Sequence, residues 1–223
     1  MPLQNRVTPS GELIATPERG LMMGNRGGAF HRPDRTLGAR RWASRQWICC
    51  VLAFKDRHRE AMMQPNRYTE LFFLDEATAL AAGHRPCFEC RRKDAERFAE
   101  SWRQAKGTAA RPSAPEMDLV LHAERLDPAG GKATYRAPAC ALPPGTGVRL
   151  DPQGVDYLFD GKRLLAWSPA GYGEPREVPE GASVCVLTPA SIVAVLSAGY
   201  RPMMHPSAQA GCRGTTTGVP QRP

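Results

Sequence analysis

The sequence FLDEATALAAGHRPCFEC, residues 73–90, predicts the end of a strand, a short helix, a turn and a pair of cysteines in direct succession. Asp75 stands where a helix N-cap belongs, and the apolar residues after it have helical spacing. Gly83 suits the left-handed end of this helix, and Pro86 prevents the helix from resuming. The sequence therefore predicts that Cys87 and Cys90 lie in a fixed turn.

The spacing of Cys87 and Cys90 is typical of a metal-binding turn. Two cysteines separated by two residues can direct both sulfurs to one ion, and zinc takes about four such ligands in a tetrahedron. A disulfide and a redox pair are the alternatives. The chain has seven cysteines, an odd number, and no hydrophobic leader follows Met1, so we expect a cytoplasmic protein with reduced thiols. Zn²⁺ is therefore the predicted cofactor.

The segments that flank residues 73–90 complete a first domain. Residues 46–54 and 68–74 have the composition of strands, and residues 91–106 have the apolar spacing of a basic helix. Alternation in the first strand places Cys49 and Cys50 on opposite faces, so only one of them easily reaches a metal held by Cys87 and Cys90. Either cysteine remains a candidate ligand, and simple burial in the strand is the alternative.

Positive charge is concentrated in the first half of the chain. Residues 1–116 contain 20 Lys and Arg against 13 Asp and Glu, whereas the remainder contains 10 against 9. Clustered basic residues gain free energy by releasing counterions from phosphates, so DNA or another nucleic acid is the predicted partner, with a merely solvated basic surface as the alternative. The candidate phosphate-binding residues are Arg40, Arg41, Arg45, Arg91, Arg92 and Lys93. No apolar run approaches the roughly 18 residues of a membrane span, so no membrane partner is expected.

The second half of the chain predicts a different architecture. Short apolar segments, beginning at residues 118–122, are separated by turn sequences, and Asp160-Gly161 is typical of a hairpin turn. Residues 188–199 predict a helix, because they combine an N-cap threonine, a proline at the first position and a terminal glycine.

We therefore predict an α+β protein. A small zinc-stabilised α/β domain is followed by a mostly antiparallel β domain with a C-terminal helix. The predicted divisions are a flexible N-terminus at residues 1–10, a basic zinc-binding domain at 11–110, a β-rich domain at 117–205 and a disordered tail at 206–223.

Residues 73–91 resemble the second half of the metal-binding domain of the Ada DNA-alkylation repair family. That family has the same order of strand, short helix, Gly-aromatic-Arg-Pro turn, Cys-x-x-Cys and basic residue. The resemblance implies four zinc cysteines, one of which accepts a methyl group from a DNA phosphotriester. Related domains attached to nucleases use His-x-x-x-Cys as their first ligand pair.

The resemblance makes Cys87 and Cys90 the second ligand pair, but the first pair departs from the family pattern. His31 matches its first position, whereas Arg35 stands where the cysteine is expected. The predicted ligand set is therefore Cys87 and Cys90 with Cys50 or Cys49 and with His31, and His58 and His84 are weaker candidates. Because the first cysteine pair is missing, methyl transfer does not carry over, and a structural zinc is the better prediction.

Two classes of function follow from these features. The first is a zinc-binding protein that binds DNA through its basic domain. The alternative is a nucleic-acid-processing enzyme, of nuclease or alkylation-repair type, with its active site in the second domain or at a reactive zinc thiolate. The acid, base or metal-binding candidates in the second domain are Asp151, Asp156, Asp160, His122 and Glu124. Their spacing does not form a compact catalytic motif.

Overall fold

The structure is a computed structural model that describes residues 1–55, 61–151 and 154–210. The described residues form an α+β fold with two mostly antiparallel sheets and a C-terminal helix, as the sequence predicts. Six strands make up each sheet.

The first sheet contains the strands of the basic half of the chain. These strands are β1 (Gln4–Val7), β2 (Leu13–Ala15), β3 (Met22–Arg26), β4 (Trp47–Cys50), β5 (Leu71–Phe73) and β6 (Arg85–Pro86). Their order is β2-β1-β5-β3-β4-β6, and the β1–β5 and β4–β6 pairs are parallel. Residues 1–10 were expected to be loosely attached, but they contain β1, which pairs with β2 and β5. Buried Asn5 and Val7 anchor this strand to the sheet.

The second sheet is an antiparallel meander completed by two further strands. Its strands are β7 (Tyr135–Pro138), β8 (Thr146–Arg149), β9 (Tyr157–Phe159), β10 (Arg163–Ser168), β11 (Gly171–Glu177) and β12 (Ser183–Val186). Their order is β11-β10-β9-β8-β12-β7. The predicted Asp160-Gly161 hairpin joins β9 to β10, and Gly161 has the positive φ of 105° that this turn requires.

Five α-helices accompany the two sheets in the described residues. They are α1 (Glu76–Ala81), α2 (Arg92–Lys106), α3 (Ala114–Arg125), α4 (Ala190–Ser197) and α5 (Ser207–Ala210). Helices α1, α2 and α4 lie where the sequence predicts them. The strand predicted at residues 118–122 is wrong, because this segment belongs to α3. Ser113 and Glu116 form a capping box that starts α3, and this local signal outweighs the strand-like composition.

One hydrophobic core joins helices from both halves of the chain. Leu80 of α1, Phe98 of α2, Leu121 of α3 and Ile192 of α4 all belong to it. The predicted domain boundary falls between α2 and α3, yet both helices pack in this shared core. The division into two domains therefore stays a prediction.

None of the helices in the described part of the chain has the length and apolar character needed to cross a bilayer. The predicted tail from residue 206 is described only as far as residue 210, where α5 ends, and the rest of it lies outside the described residues.

Candidate metal centre

Pairing between β4 and β6 brings one cysteine of β4 beside the Cys87–Cys90 turn. The two strands are parallel, with Cys49 opposite Pro86, and the Cys87 N–H donates a hydrogen bond of 3.0 Å to the Cys49 carbonyl oxygen. Because the strands are parallel, the residues that follow Cys49 and Pro86 lie side by side at the same end of the pair. These residues are Cys50 and Cys87, and Cys50 points to the opposite face from Cys49.

Cys50, Cys87 and Cys90 converge, with their three sulfur atoms within 4.8 Å of one another. Two thiolates bound to one tetrahedral zinc at about 2.3 Å lie about 3.8 Å apart, so sulfurs this close together are compatible with binding one ion. Cys87 is buried, and the other two are partly exposed. These three residues can hold a metal ion.

Hydrogen bonds favour the thiolate form of Cys87. The thiols of Cys50 and Cys90 donate to its sulfur, as do the backbone N–H groups of Cys90 and Glu89, and together they lower the pKa of the Cys87 thiol. The Glu89 nitrogen lies 3.4 Å from this sulfur. The Cys50 thiol donates to both neighbouring sulfurs, and this donation raises its pKa. A metal that binds here must displace the remaining thiol protons.

Cys49 lies on the opposite face of β4 and does not join the thiol group. Its side chain is fully buried in the core of the first sheet, and its sulfur lies 3.6 Å from an Arg91 nitrogen. Burial raises the pKa of the Cys49 thiol. Between the two alternatives left open by the sequence, the structure therefore groups Cys50 with Cys87 and Cys90.

His31 makes contacts of its own instead of joining the three thiols. Its Nδ1 lies 2.8 Å from Thr69 Oγ1, and its Nε2 lies 3.2 Å from the Gln64 carbonyl oxygen. His84 is also apart from the group, since it is buried between the rings of Phe73 and Trp47. His58, the other weak candidate, lies outside the described residues.

The six candidate phosphate-binding residues divide into an exposed set and one buried residue. Arg40, Arg41, Arg45, Arg92 and Lys93 are exposed. Arg91 is buried and forms ion pairs with Glu76 at 2.8 Å and Asp94 at 2.9 Å, so it braces the start of α2 instead of facing solvent. The sequence does not distinguish Arg91 from Arg92, because the difference depends on which way the first turn of α2 faces.

An open pocket of about 530 Å³ adjoins the three thiols. Cys50, Cys87 and Cys90 line it, together with Gln64, Tyr68 and Glu70. The sequence did not single out these last three residues as part of a site, because no motif marks them. Tyr68 and Glu70 fall in the strand predicted at residues 68–74, which in the structure begins only at Leu71. A metal held by the thiols would face this pocket on one side.

The acid and base candidates of the second half have structural roles. Asp156 forms an ion pair with Arg149 at 2.5 Å, and Asp160 caps its own hairpin turn. Glu124 accepts hydrogen bonds from Ser191, and His122 contacts Arg125. Asp151 is exposed. Among the described residues, these groups do not assemble into a cluster that could hold a metal.

Comparisons with known proteins leave the centre to be interpreted from its own geometry. No protein-family model matches the chain, and searches of curated proteins and of solved structures give no significant match.

Proposed function

We propose that this chain is a zinc-binding protein that binds DNA, and that zinc at Cys50, Cys87 and Cys90 is mainly structural. The observation that carries the proposal is the convergence of three thiols from two distant segments within 4.8 Å. Zinc is the preferred ion for such a set, because thiolates are soft ligands and zinc binds them without redox chemistry.

Zinc at this position would fasten β4 to the start of α2. Cys50 ends β4, and Cys90 lies just before α2. The strand β6 between them has only two residues, Arg85 and Pro86, so pairing alone gives little stability. A metal bond that exists only in the folded state adds its binding free energy to folding.

Substitution of individual cysteines tests the ligand set. We expect the natural protein to contain about one zinc ion per chain, and Cys50→Ser, Cys87→Ser and Cys90→Ser to lose most of it, because a hydroxyl is a poor zinc ligand. Cys49→Ala and Cys140→Ser are the matched controls, since Cys49 lies on the other face of β4 and Cys140 is exposed elsewhere. Elemental analysis of the purified proteins measures the zinc content.

Circular dichroism on the same samples separates loss of zinc from loss of the fold. The ligand set would be refuted by full zinc retention in both Cys87→Ser and Cys90→Ser. It would also be refuted if Cys49→Ala lost as much zinc as Cys50→Ser while keeping its secondary structure.

Two exposed basic groups support the DNA-binding part of the proposal. Arg40, Arg41 and Arg45 precede β4, while Arg92 and Lys93 begin α2. The proposed zinc ligands lie in the same two segments. Zinc would therefore hold both groups in a fixed relation, which is the arrangement needed to contact phosphates in register.

The salt dependence of DNA binding tests this part. Each phosphate contact to duplex DNA contributes about −0.9 to the slope of log affinity against log salt. We expect Arg40→Ala/Arg45→Ala to weaken binding and to reduce the slope by up to about 2. The matched control is Lys162→Ala/Arg176→Ala, which removes two exposed cations of the second sheet. A slope near zero in the natural protein, or equal losses in both double variants, would exclude the proposed contacts.

The open pocket favours a reactive centre as the second candidate function. Reactive zinc sites keep one coordination position accessible, and the three thiols face a pocket of about 530 Å³. In this alternative, Cys50, Cys87 and Cys90 would hold the ion, which would keep their sulfurs deprotonated. One of these sulfurs would be the nucleophile toward the methyl carbon of a DNA phosphotriester, so that a carbon–sulfur bond forms, the carbon–oxygen bond breaks and the phosphodiester leaves as an anion. The alternative predicts the mass of one added methyl group on Cys50, Cys87 or Cys90 after exposure to alkylated DNA. A purely structural zinc predicts no such change.

A further inference from the structure

A second pocket, which we call the basic pocket, collects cations from several parts of the fold. Its volume is about 260 Å³. The cationic residues that line it are Arg26, Arg41, Arg125, Lys132 and Arg149. Glu12 is the one carboxylate among its described lining residues, and it is exposed. The basic pocket therefore carries a large excess of positive charge and has no residue in common with the thiol group.

Two of these cations are almost completely buried without a carboxylate partner. Arg26 and Arg125 are 2% and 1% exposed. Arg26 donates to the Gly11 carbonyl oxygen at 2.9 Å, and Arg125 donates to the Gly83 carbonyl oxygen at 2.9 Å. Within the described ranges, neither guanidinium lies within ion-pair distance of an acidic side chain. Arg125 Nε, moreover, is buried without a hydrogen-bond partner in that part of the chain.

Lys132 adds a third cation, and its hydrogen-bond acceptor in the described residues is uncharged. Its ammonium donates a hydrogen bond of 2.6 Å to the Ala81 carbonyl oxygen. Arg149 differs from these three, because Asp156 neutralises it. Burial of positive charge without a negative partner is costly, so the described residues leave this pocket electrostatically incomplete.

The Trp47 ring fixes the two buried guanidiniums in place. The Cζ atom of Arg26 lies 4.0 Å from the ring centroid, and that of Arg125 lies 3.9 Å from it. Such stacking holds a guanidinium in one orientation with its N–H groups at the edge of the ring. Some of these groups also donate to backbone carbonyl oxygens, of Arg41 in the case of Arg26 and of Arg45 in the case of Arg125. The donors are therefore positioned before any ligand arrives, which reduces the entropy cost of binding.

The cations also repel one another. Burial and the neighbouring Arg41 lower the pKa of Arg26. Burial lowers the pKa of Arg125, and Arg26 and Arg85 add to this effect while Asp118 opposes it. Burial, Arg26 and Arg125 lower the pKa of Lys132 to about 7. An anion between these groups would relieve the repulsion.

We propose that the basic pocket binds the phosphate group of a small phosphate ester or of inorganic phosphate. The planar donors of an arginine match two phosphate oxygens, and a lysine supplies an additional point charge. A tetrahedral dianion with several oxygens suits donors that converge from β3, α3 and the segment after α3. The inference does not depend on DNA binding or on zinc.

Titration of the purified full-length protein with inorganic phosphate tests the proposal. We expect saturable heat release by calorimetry, and a melting temperature that rises with phosphate at constant ionic strength, because a ligand that binds only the folded state stabilises it. Adenosine 5′-monophosphate and adenosine are compared in parallel. Tighter binding of the monophosphate than of phosphate indicates an ester ligand, and equal binding indicates free phosphate. Equal binding of adenosine and its monophosphate would overturn the proposal.

Two substitutions assign the binding to the basic pocket. We expect Lys132→Met and Arg41→Ala each to weaken phosphate binding about tenfold, because each removes one charge-assisted hydrogen bond or a close positive charge. Lys162→Met and Arg176→Ala, both exposed outside the pocket, should bind phosphate as the natural protein does. Zinc content and circular dichroism confirm that each variant is folded. The proposal fails if phosphate does not saturate the natural protein, or if the pocket variants bind as well as the controls.

Discussion

Adjacent cysteines in β4 have opposite environments. Cys49 is fully buried in the core of the first sheet, while the partly exposed Cys50 lies with Cys87 and Cys90. The two-residue period of a strand produces this difference, because consecutive side chains point to opposite faces. At the scale of one residue, the position of a cysteine in the alternation of the strand decides whether its thiol packs in the core or can bind a metal.

Buried arginines also differ in their partners. Arg85 is 1% exposed, and Asp118 accepts two hydrogen bonds from its guanidinium, at 2.9 and 2.7 Å. Arg125 is equally buried but donates to backbone carbonyl oxygens and His122. A paired buried cation serves packing, whereas an unpaired one is a candidate for binding an anion.

The pH dependence of stability should reveal the environment of Lys132. Burial is the main reason why the pKa of the Lys132 ammonium falls from 10.5 to about 7. The positive charges of Arg26, Arg125 and Arg149 also lower this pKa, and the negative charge of Asp156 raises it. Between these two values the unfolded chain binds more protons than the folded protein, so the free energy of unfolding rises with pH. We expect the natural protein to gain up to about 2 kcal/mol from pH 7 to pH 9 relative to Lys132→Met.

Urea unfolding of the purified proteins at both pH values, without phosphate, measures this difference. Lys162→Met is the control, because Lys162 is exposed on the second sheet. If Lys132→Met and Lys162→Met follow the same pH dependence, the environment assigned to Lys132 is wrong.

Helix starts show how local and long-range interactions combine at the scale of an element. Asp75 caps α1, and its carboxylate accepts hydrogen bonds from Thr78, Tyr172 and His205. Ser113 caps α3 through an exposed capping box with Glu116. The first cap therefore connects three regions of the fold, while the second serves only its own helix.

Alanine substitution of the two caps should have unequal effects on stability. We expect Ser113→Ala to lower the free energy of unfolding by about 1 kcal/mol, as for an ordinary N-cap. Asp75→Ala should cost roughly 3 kcal/mol or more, because it also leaves the buried Tyr172 hydroxyl and the His205 N–H without their acceptor. Urea unfolding at pH 7 measures both values. Equal losses would show that the long-range hydrogen bonds of Asp75 contribute little.

At the scale of the whole molecule, the start of α1 links the C-terminal segment to the basic half. Glu76 accepts hydrogen bonds from the Tyr200 hydroxyl at 2.6 Å, the Met203 N–H at 2.9 Å and Arg91 at 2.8 Å. Strand β8 also packs closely on α1. The closeness is evident at Gly147, where an added Cβ would lie only 2.7 Å from the Ala81 Cβ. Arg91 in turn contacts Cys49, so this network extends from the C-terminal segment to the strand that carries Cys50.

The sequence by itself determined the local structure around Cys87 and Cys90. The Asp75 cap, the Gly83 stop and the Cys-x-x-Cys spacing depend on interactions within a few residues, so their pattern is visible in the chain. The Asp160-Gly161 hairpin of the second sheet and helix α4 were predictable for the same reason. The capping box at Ser113 and Glu116 is an equally local signal. It indicates a helix start, whereas the composition of residues 118–122 by itself predicts a strand.

Only the tertiary structure decided which residues meet across long separations. The choice of Cys50 over Cys49 required the β4–β6 pairing, and the burial of Arg91 required the packing of α2 against Glu76. Arg26, Arg125 and Lys132 are distant in sequence and form the basic pocket only because β3, α3 and the segment after α3 fold together. Local patterns fix backbone conformation through short-range sterics and hydrogen bonds, whereas a binding site depends on long-range packing that a single sequence does not display.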